Sequence, residues 1–368
     1  MTRNEQGHVP DPTERDGALQ RSAPAGDTPP GAGEKQGSAG RANAFSINTM
    51  AKGLVGLGLL LVLFLRVDFA AVWAELRGVR WGWLALVVIL PHVAIWISAV
   101  KWRLLLARLG VTVTMSTAFW LYMIGTFFNN FLPSSAGGDV VRALELRRES
   151  EETGAIVAAT LAERLIGFAA LLTLLPLALL DGRVRGATAF LPLAIGASLL
   201  ALVAGVWLLL SGRMGQAMKL LGLRRVGRAI DRSEAALRRL LRDRGAVQHA
   251  FLLSIAFYGL AILTVWVASR ALDHPLGIFG VNAVVPLVLL VGSLPISLNG
   301  LGTKEAAYVF LLGLLGMPPA TALALAVLLR TRAILTAIAG GIAFVVRRPA
   351  RARESSNGDE RSASHLVA

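Results

Sequence analysis

The sequence predicts an all-α polytopic membrane protein, and both its composition and the length of its apolar segments support this fold class. Apolar residue types make up 55% of the 368 residues, and charged residues make up only 16%. Soluble domains carry about 25% charged residues. The apolar residues gather into stretches of roughly 20, enough for a helix to cross a bilayer. The chain has no cysteine, which excludes disulfides, cysteine-ligated metals and thiol catalysis.

Eight apolar segments follow one another along the chain and define a membrane domain over residues 43–347. They are, approximately, residues 45–65, 81–100, 113–132, 154–180, 187–210, 250–269, 278–298 and 320–346. Residues 1–42 are rich in Pro, Gly, Ala and charge and contain no apolar run, so they are predicted to be a disordered N-terminal tail. Residues 348–368 are predicted to be a disordered C-terminal tail.

Basic residues set the expected topology. Segment 211–250 carries ten Lys or Arg against three acidic residues, a net of +7 out of +14 for the whole chain. Since cytoplasmic loops accumulate Lys and Arg, this segment and both termini are expected on the cytoplasmic side of a bacterial plasma membrane. Eight plain crossings would separate segment 211–250 from the two tails. The conflict disappears if residues 113–150 and 278–316 form re-entrant hairpins, which leaves six full spans. Eight spans stay open as the alternative.

The six-span arrangement makes the two halves of the domain an inverted repeat, each half holding two spans, a hairpin and one span. Inverted repeats are common in transporters. The predicted breaks are alike: the first contains Pro133, Gly137, Gly138 and Asp139, and the second contains Pro295, Ser297, Gly300, Gly302 and Thr303. Proline interrupts a helix and glycine permits a tight return. Asp139 and Thr303 are expected to cap the helices that follow, whose N-termini attract phosphate or carboxylate.

The residues around these breaks resemble a known family. The run Asn130, Pro133, Gly137, Gly138, Asp139 and Arg142 is similar to the Asn…Pro…Gly-Gly-Asp-x-x-Arg signature of the lysylphosphatidylglycerol synthase transmembrane-domain family. The step Glu163-Arg164, the Gly-x-Gly-x-x-Glu element from Gly300 to Glu305 and the arginine Arg330 in the last span resemble further family motifs. The similarity extends over about residues 45–347.

The resemblance implies lipid handling. Two-domain members of the family translocate aminoacylated phosphatidylglycerol and carry a soluble transferase domain after the membrane part. About 22 polar residues follow the last span here, so lysyl transfer is not expected. The expected function is translocation of an anionic or zwitterionic phospholipid, or of a lipid-linked phosphate, between leaflets. A membrane enzyme acting on lipid-linked phosphates and a non-transporting partner of a lipid-modifying enzyme are the alternatives.

Polar and ionisable residues near the breaks form the candidate site. A charge at the centre of a bilayer costs roughly 2.5–3.5 kcal/mol on insertion scales, so such groups need partners or a ligand. The substrate-binding candidates are Asn130, Pro133, Gly137, Gly138, Asp139, Arg142, Glu163, Arg164, Pro295, Ser297, Gly300, Gly302, Lys304, Glu305 and Arg330. The three arginines are expected to contact phosphate, because a guanidinium binds two oxygens at once. The three carboxylates are expected to orient these cations or to bind a head-group amine. A purely structural ion-pair network is the alternative.

Segment 211–250 is expected to form a basic amphipathic helix on the anionic inner leaflet, with a solvated linker as the alternative. Motifs of phosphate loops, zinc hydrolases and serine hydrolases do not occur in the sequence, so no cofactor, no metal site and no enzymatic activity is expected. A nucleic-acid partner is not expected either, and homo-oligomer formation stays open.

Overall fold

The computed structural model describes residues 54–63, 65, 67–131, 137–148, 152–187, 191–294 and 296–365. Regular structure in these residues is entirely helical, which confirms the predicted all-α membrane class. The helices are α1 (Leu54–Leu63), α2 (Phe69–Arg77), α3 (Trp81–Arg108), α4 (Met115–Phe131), α5 (Gly137–Arg147), α6 (Thr153–Leu174), α7 (Gly182–Ala187), α8 (Leu191–Leu210), α9 (Arg213–Leu220), α10 (Arg224–Arg242), α11 (Arg244–Ala271), α12 (Ile278–Ser293), α13 (Thr303–Leu314) and α14 (Pro319–His365). Short 3-10 helices occupy Leu175–Leu180 and Leu298–Gly300.

Four helices of the described residues are long and apolar enough to cross a membrane: α3, α6 together with its continuation to Leu180, α11, and α14 as far as Val346. Residues Ile195–Leu210 and Arg213–Leu220 make a fifth candidate that is bent by 53°. Helix α14 continues beyond position 347, where the sequence places the end of the membrane domain.

The two segments predicted to re-enter the membrane each form a helical hairpin. Helices α5 and α13 contain 11 and 12 residues, or ~17–18 Å, which is too short to cross a ~30 Å hydrocarbon core. A Cβ added at Gly125 of α4 would meet Gly138 of α5, so the arms of the first hairpin touch. In the second hairpin Gly292 lies against Lys304 and Gly280 lies against Leu315. The arms α12 and α13 are therefore antiparallel.

Helices α3 and α11 pack against each other in opposite directions. At one end the Arg80 amide donates to the Ala271 carbonyl at 3.0 Å. At the other end Arg108 Nη1 lies 3.2 Å from Asp243 Oδ2. Eight alternating crossings would make α3 and α11 parallel, whereas six spans with two hairpins make them antiparallel. The packing agrees with the six-span arrangement, and it brings the end of α3 next to the basic segment 211–250.

In both halves of the membrane domain, the last helix packs against helices of the other half. Helix α2 of the first half packs on α14, the last helix of the second half, and α10 of the second half packs on α6, the last helix of the first. The first hairpin arm α4 packs on α14, and the corresponding arm α12 packs on the 3-10 helix that continues α6. This reciprocity is what a repeat related by a two-fold axis produces.

The predicted amphipathic helix in segment 211–250 is two helices, α9 and α10. Part of its apolar face is used inside the protein, because Leu237 and Leu240 are fully buried in the core around α6. The apolar residues at the α9–α10 turn are exposed instead, and Leu220 has 88% of its surface accessible. Most of the exposed apolar side chains of this segment therefore lie at the turn.

We expect single cysteines at Arg148 and Ala107 to label alike with an impermeant thiol reagent in intact cells, and a cysteine at Pro275 to label oppositely. All three positions are exposed, and the chain has no cysteine of its own. The reason is that a re-entrant first hairpin returns Arg148 to the side of the α3 terminus. Eight crossings predict the reverse: Pro275 would label like Ala107, and Arg148 would differ from both.

Candidate polar site at the hairpin tips

A buried ionic cluster holds the first hairpin to helices α3 and α6. Arg142 Nη2 donates to Glu163 Oε2 at 2.7 Å, and Lys101 Nζ lies 3.4 Å from the other oxygen of the same carboxylate. Tyr122 also donates its hydroxyl to Glu163. The Arg142 side chain is only 3% exposed, and its guanidinium carbon lies 4.6 Å from the centre of the Trp102 ring. Glu163 is thus the common partner of two buried cations.

The carboxylate of Asp139 connects this cluster to α6 a second time. Arg142 Nη2 lies 3.3 Å from Asp139 Oδ1, and Arg164 donates to the other carboxylate oxygen. Asp139 is the third residue of α5, so the prediction that it caps this helix is wrong. The neighbours Glu163 and Arg164 point in different directions and each finds its partner on another element, as their helical spacing predicts.

Glycines allow the arms of the first hairpin to touch. A Cβ added at Gly138 would lie 1.9 Å from the carbonyl oxygen of Gly125, so only glycine fits there. The Gly138 amide donates to Asn129 Oδ1 at 2.8 Å. The Asn129 side chain of α4 therefore accepts a hydrogen bond from a backbone amide in the first turn of α5, where amides have no carbonyl partner within the helix.

The second hairpin has its own ion pair, between Glu305 and Arg330. Glu305 Oε1 accepts from Arg330 Nε at 2.5 Å, and Oε2 accepts from the Gly302 amide at 2.8 Å. Arg330 Nη2 also donates to the Gly300 carbonyl at 3.2 Å. The prediction that Thr303 caps this helix is wrong: the cap position is Gly302. Glu305, the third residue of the helix, accepts the hydrogen bond from the amide of this cap residue.

The two hairpins repeat one arrangement. Asp139 of α5 pairs with Arg164 of α6, and Glu305 of α13 pairs with Arg330 of α14. In each pair a carboxylate in the returning arm binds an arginine in the next helix, 25 residues further along the chain. These pairs occupy equivalent positions in the two halves, which supports the internal repeat.

The tips of the two hairpins meet beside a polar cavity. Asn299 Nδ2 lies 3.5 Å from Asn130 Oδ1, and the adjoining cavity has a volume of about 420 Å³. Its polar lining residues are Asn129, Asn130, Arg164, Tyr258, Ser293, Asn299, Lys304, Glu305, Tyr308, Arg330 and Arg332. Arg164 and Arg330 each lie eleven residues from the first residue of their helix, Thr153 in α6 and Pro319 in α14. At 1.5 Å per residue this is ~17 Å, about half of a bilayer core.

The structure divides the sequence-predicted residues into groups. Five line the cavity: Asn130, Arg164, Lys304, Glu305 and Arg330. Three form or adjoin the buried cluster behind it: Asp139, Arg142 and Glu163. Gly137, Gly138, Ser297, Gly300 and Gly302 build the tips, where the Ser297 hydroxyl lies 3.0 Å from that of Thr303. Pro133 and Pro295 lie outside the described residues. Arg142 does not line the cavity, in contrast to the expected phosphate contact.

Sequence reasoning missed several members of the site. Asn129 and Asn299 flank the meeting point of the tips, and Tyr258 and Tyr308 line the cavity from α11 and α13. Lys101 and Tyr122 join the buried cluster. An equal spacing of 25 residues between acid and arginine in both halves was the one signal in the sequence that could have identified the two ion pairs.

Two helical hairpins that meet tip to tip beside a charged cavity, packed among long apolar helices, define a multi-pass membrane protein with an internal polar site. The chain belongs to the family described as the lysylphosphatidylglycerol synthase TM region, whose model matches residues 49–341.

Two similar proteins are described as membrane proteins. A UPF0104 membrane protein of Methanocaldococcus jannaschii is 24% identical over 269 residues, covering 68% of this chain and 80% of the relative. A UPF0104 membrane protein of Methanothermobacter thermautotrophicus is 21% identical over 314 residues, covering 79% of this chain and 93% of the relative. No solved structure matches the chain.

We expect Glu163→Gln to lower the stability of the purified protein far more than Asp273→Asn. Removing one member of a buried ionic cluster costs about 3–5 kcal/mol, because the remaining charges stay buried without a partner. Asp273 pairs with Arg80 at the surface, where an ion pair contributes about 0–1 kcal/mol, and asparagine tolerates its positive φ of 57°. Thermal unfolding in detergent measures both variants. Equal melting temperatures would contradict a stabilising role for the Glu163 cluster.

Proposed function

We propose that this membrane protein moves a lipid with an anionic or zwitterionic head group that contains phosphate between the two leaflets of the bilayer. The observation that carries the proposal is the contact of the two hairpin tips beside a cavity lined by cations. A volume of about 420 Å³ lies within the ~300–1,000 Å³ typical of ligand sites. A head group in this cavity would be enclosed by protein while the acyl chains stay in lipid.

The chemistry of the lining supports a phosphate-containing head group. Arg164, Lys304, Arg330 and Arg332 contribute positive charge, and Glu305 contributes the one carboxylate of the described lining. Arginine binds phosphate through two parallel N–H donors, and lysine binds it as a point charge. The amides of Asn129, Asn130 and Asn299 add neutral donors and acceptors. Apolar side chains such as Phe168 and Val288 complete the wall, as is usual for small-molecule sites.

The repeat supports translocation over simple binding. Transporters built from inverted repeats bind substrate where the repeats meet, and they switch access by moving one half against the other. The cavity has that location, because α4 and α6 of the first half and α12, α13 and α14 of the second half all contribute to it. The proposed cycle loads the head group from one leaflet, moves the halves, and releases it to the other.

Reconstitution into liposomes tests the function. Lipids with fluorescent head groups are added to one leaflet, and their arrival in the other is followed by quenching. Transbilayer movement above that of protein-free liposomes is the expected result. Chemical turnover of a lipid-linked phosphate would instead favour a membrane enzyme, and the absence of both would favour a non-transporting partner of a lipid-modifying enzyme.

We expect Arg330→Gln to reduce transbilayer movement by about 10- to 100-fold, because a charged hydrogen bond contributes about 1.5–3 kcal/mol. This change also leaves Glu305 without its cation, so the double variant Glu305→Gln with Arg330→Gln is the matched control for folding. The double variant should recover melting temperature without recovering movement. If movement recovers as well, the Glu305–Arg330 pair is structural and does not bind the head group.

We also propose that the turn between α9 and α10 contacts the anionic inner leaflet of the plasma membrane, with both chain termini on the same side. Leu220, Leu221, Leu223 and Val226 are exposed at this turn, and Arg224, Arg225 and Arg228 lie beside them in the sequence. Apolar residues that enter the interface, with basic residues at the phosphates, are typical of peripheral membrane contacts. Each basic residue near an anionic surface contributes about 1 kcal/mol.

An environment-sensitive fluorophore on a cysteine at Leu221 should show a larger blue shift in liposomes that contain anionic lipid than in purely zwitterionic liposomes. The same probe at Arg239, which is exposed on α10, should shift little in either. Equal spectra for the Leu221 probe in the two lipid mixtures would argue against the leaflet contact.

A further inference from the structure

Among the described residues, the polar cavity and the buried cluster behind it contain more basic than acidic side chains. Their basic members are Lys101, Arg142, Arg164, Lys304, Arg330 and Arg332, and their acidic members are Asp139, Glu163 and Glu305. Six cations against three carboxylates leave a surplus of three. Charges away from water are stable only when paired, so such a surplus favours an anionic occupant.

The surplus is concentrated on the side of the second hairpin. Arg164 is paired with Asp139, and Arg330 is paired with Glu305. Among the described residues, neither Lys304 nor Arg332 makes a hydrogen bond or an ion pair within 4 Å, and Arg332 Nε is buried without an acceptor. These two side chains are therefore the cations of the cavity that have no carboxylate partner among the described residues.

The position of Lys304 is built into the hairpin. A Cβ added at Gly292 would lie 2.1 Å from Lys304 Cε, and one added at Gly300 would lie 2.7 Å from the same atom. Gly300 also has a φ of +73°, which L-residues with side chains rarely adopt. Both glycines thus make room for the lysine stem between the arms and direct the side chain to the cavity.

We infer that the cavity binds a lipid whose head group ends in a dianionic phosphate, a phosphate monoester or a diphosphate, in preference to a phosphodiester. This inference rests on the proposed function and narrows its substrate class. Two unpaired cations match the two charges of a terminal phosphate at neutral pH, whereas a phosphodiester brings one. A lipid with a net positive head group would add charge to a cavity that already has a surplus. The structure assigns Lys304 and Arg332 as the residues that set this preference.

Competition binding to the full-length protein in detergent tests the preference. The probes are a phosphate-monoester lipid, a phosphodiester lipid with the same acyl chains, and inorganic phosphate. We expect the monoester lipid to bind at least tenfold more tightly than the diester. Equal affinity for the two lipids would overturn the inference, and inorganic phosphate binding as tightly as the lipid would overturn its lipid part. Transbilayer movement of the diester in liposomes, measured in parallel, would then still support the broader proposed function.

Variants connect the preference to the two cations. Lys304→Gln and Arg332→Gln should each reduce the tenfold preference to about twofold or less, whereas Arg332→Lys should keep most of it because the charge is retained. Arg270→Gln is the matched control, since Arg270 stacks on Trp266 at 4.1 Å and does not line the cavity. A preference that survives both glutamine variants, or that Arg270→Gln removes equally, would overturn the assignment.

Discussion

The central constraint on this structure is that broken helices and ionised side chains inside an apolar bundle must be compensated by the protein itself. Non-helical backbone at membrane depth is tolerated only where protein covers it or where it lines a cavity. Each hairpin meets this requirement with an ion pair between its returning arm and the next helix, Asp139 with Arg164 and Glu305 with Arg330. The pair holds the arm against that helix and keeps the tip covered.

Glycine determines how closely the rest can pack around these pairs. Gly138 touches the backbone of Gly125, and a Cβ at Gly302 would lie 2.2 Å from the carbonyl oxygen of Gly56 in α1. Gly340 likewise brings α14 against the backbone of Met123 in α4. In an apolar environment the hydrophobic effect does not drive helices together, so small residues that permit close approach gain importance. The tips are thus enclosed by backbone contacts as well as by ion pairs.

The sequence predicts the class, the hairpins and most of the charged residues, because these depend on hydropathy, proline, glycine and the distribution of Lys and Arg along one chain. It does not predict which charges meet, since helical periodicity relates only neighbours on one helix. Asp139 and Arg142 are three residues apart on α5, and their contact follows from that rule, whereas the contacts of Glu163 with Lys101 and Tyr122 join three helices. The cap at Gly302 was missed because glycine has no side chain that could accept a hydrogen bond from the first turn, and the interaction at this helix start is instead the Glu305 carboxylate accepting from the Gly302 amide.

The two halves share one framework but differ in their balance of carboxylates and cations. In the first half two carboxylates, Asp139 and Glu163, hold Arg142 inside the protein, which is the structural network considered from the sequence. In the second half a single carboxylate, Glu305, faces three cations, and the cavity opens there. The structural network thus describes the charges around the first hairpin, and the proposed ligand site depends mainly on those of the second.

This division also bears on how the halves could move. The ion pairs at the two ends of the α3–α11 contact, Arg80 with Asp273 and Arg108 with Asp243, have exposed fractions between 34% and 69%. Exposed pairs contribute about 0–1 kcal/mol each and exchange readily with water. The buried pairs lie within one half, between a hairpin arm and the helix that follows it. In the proposed transport cycle, a rearrangement that breaks the outer pairs and the Asn130–Asn299 contact would move the two halves against each other without breaking a buried ion pair.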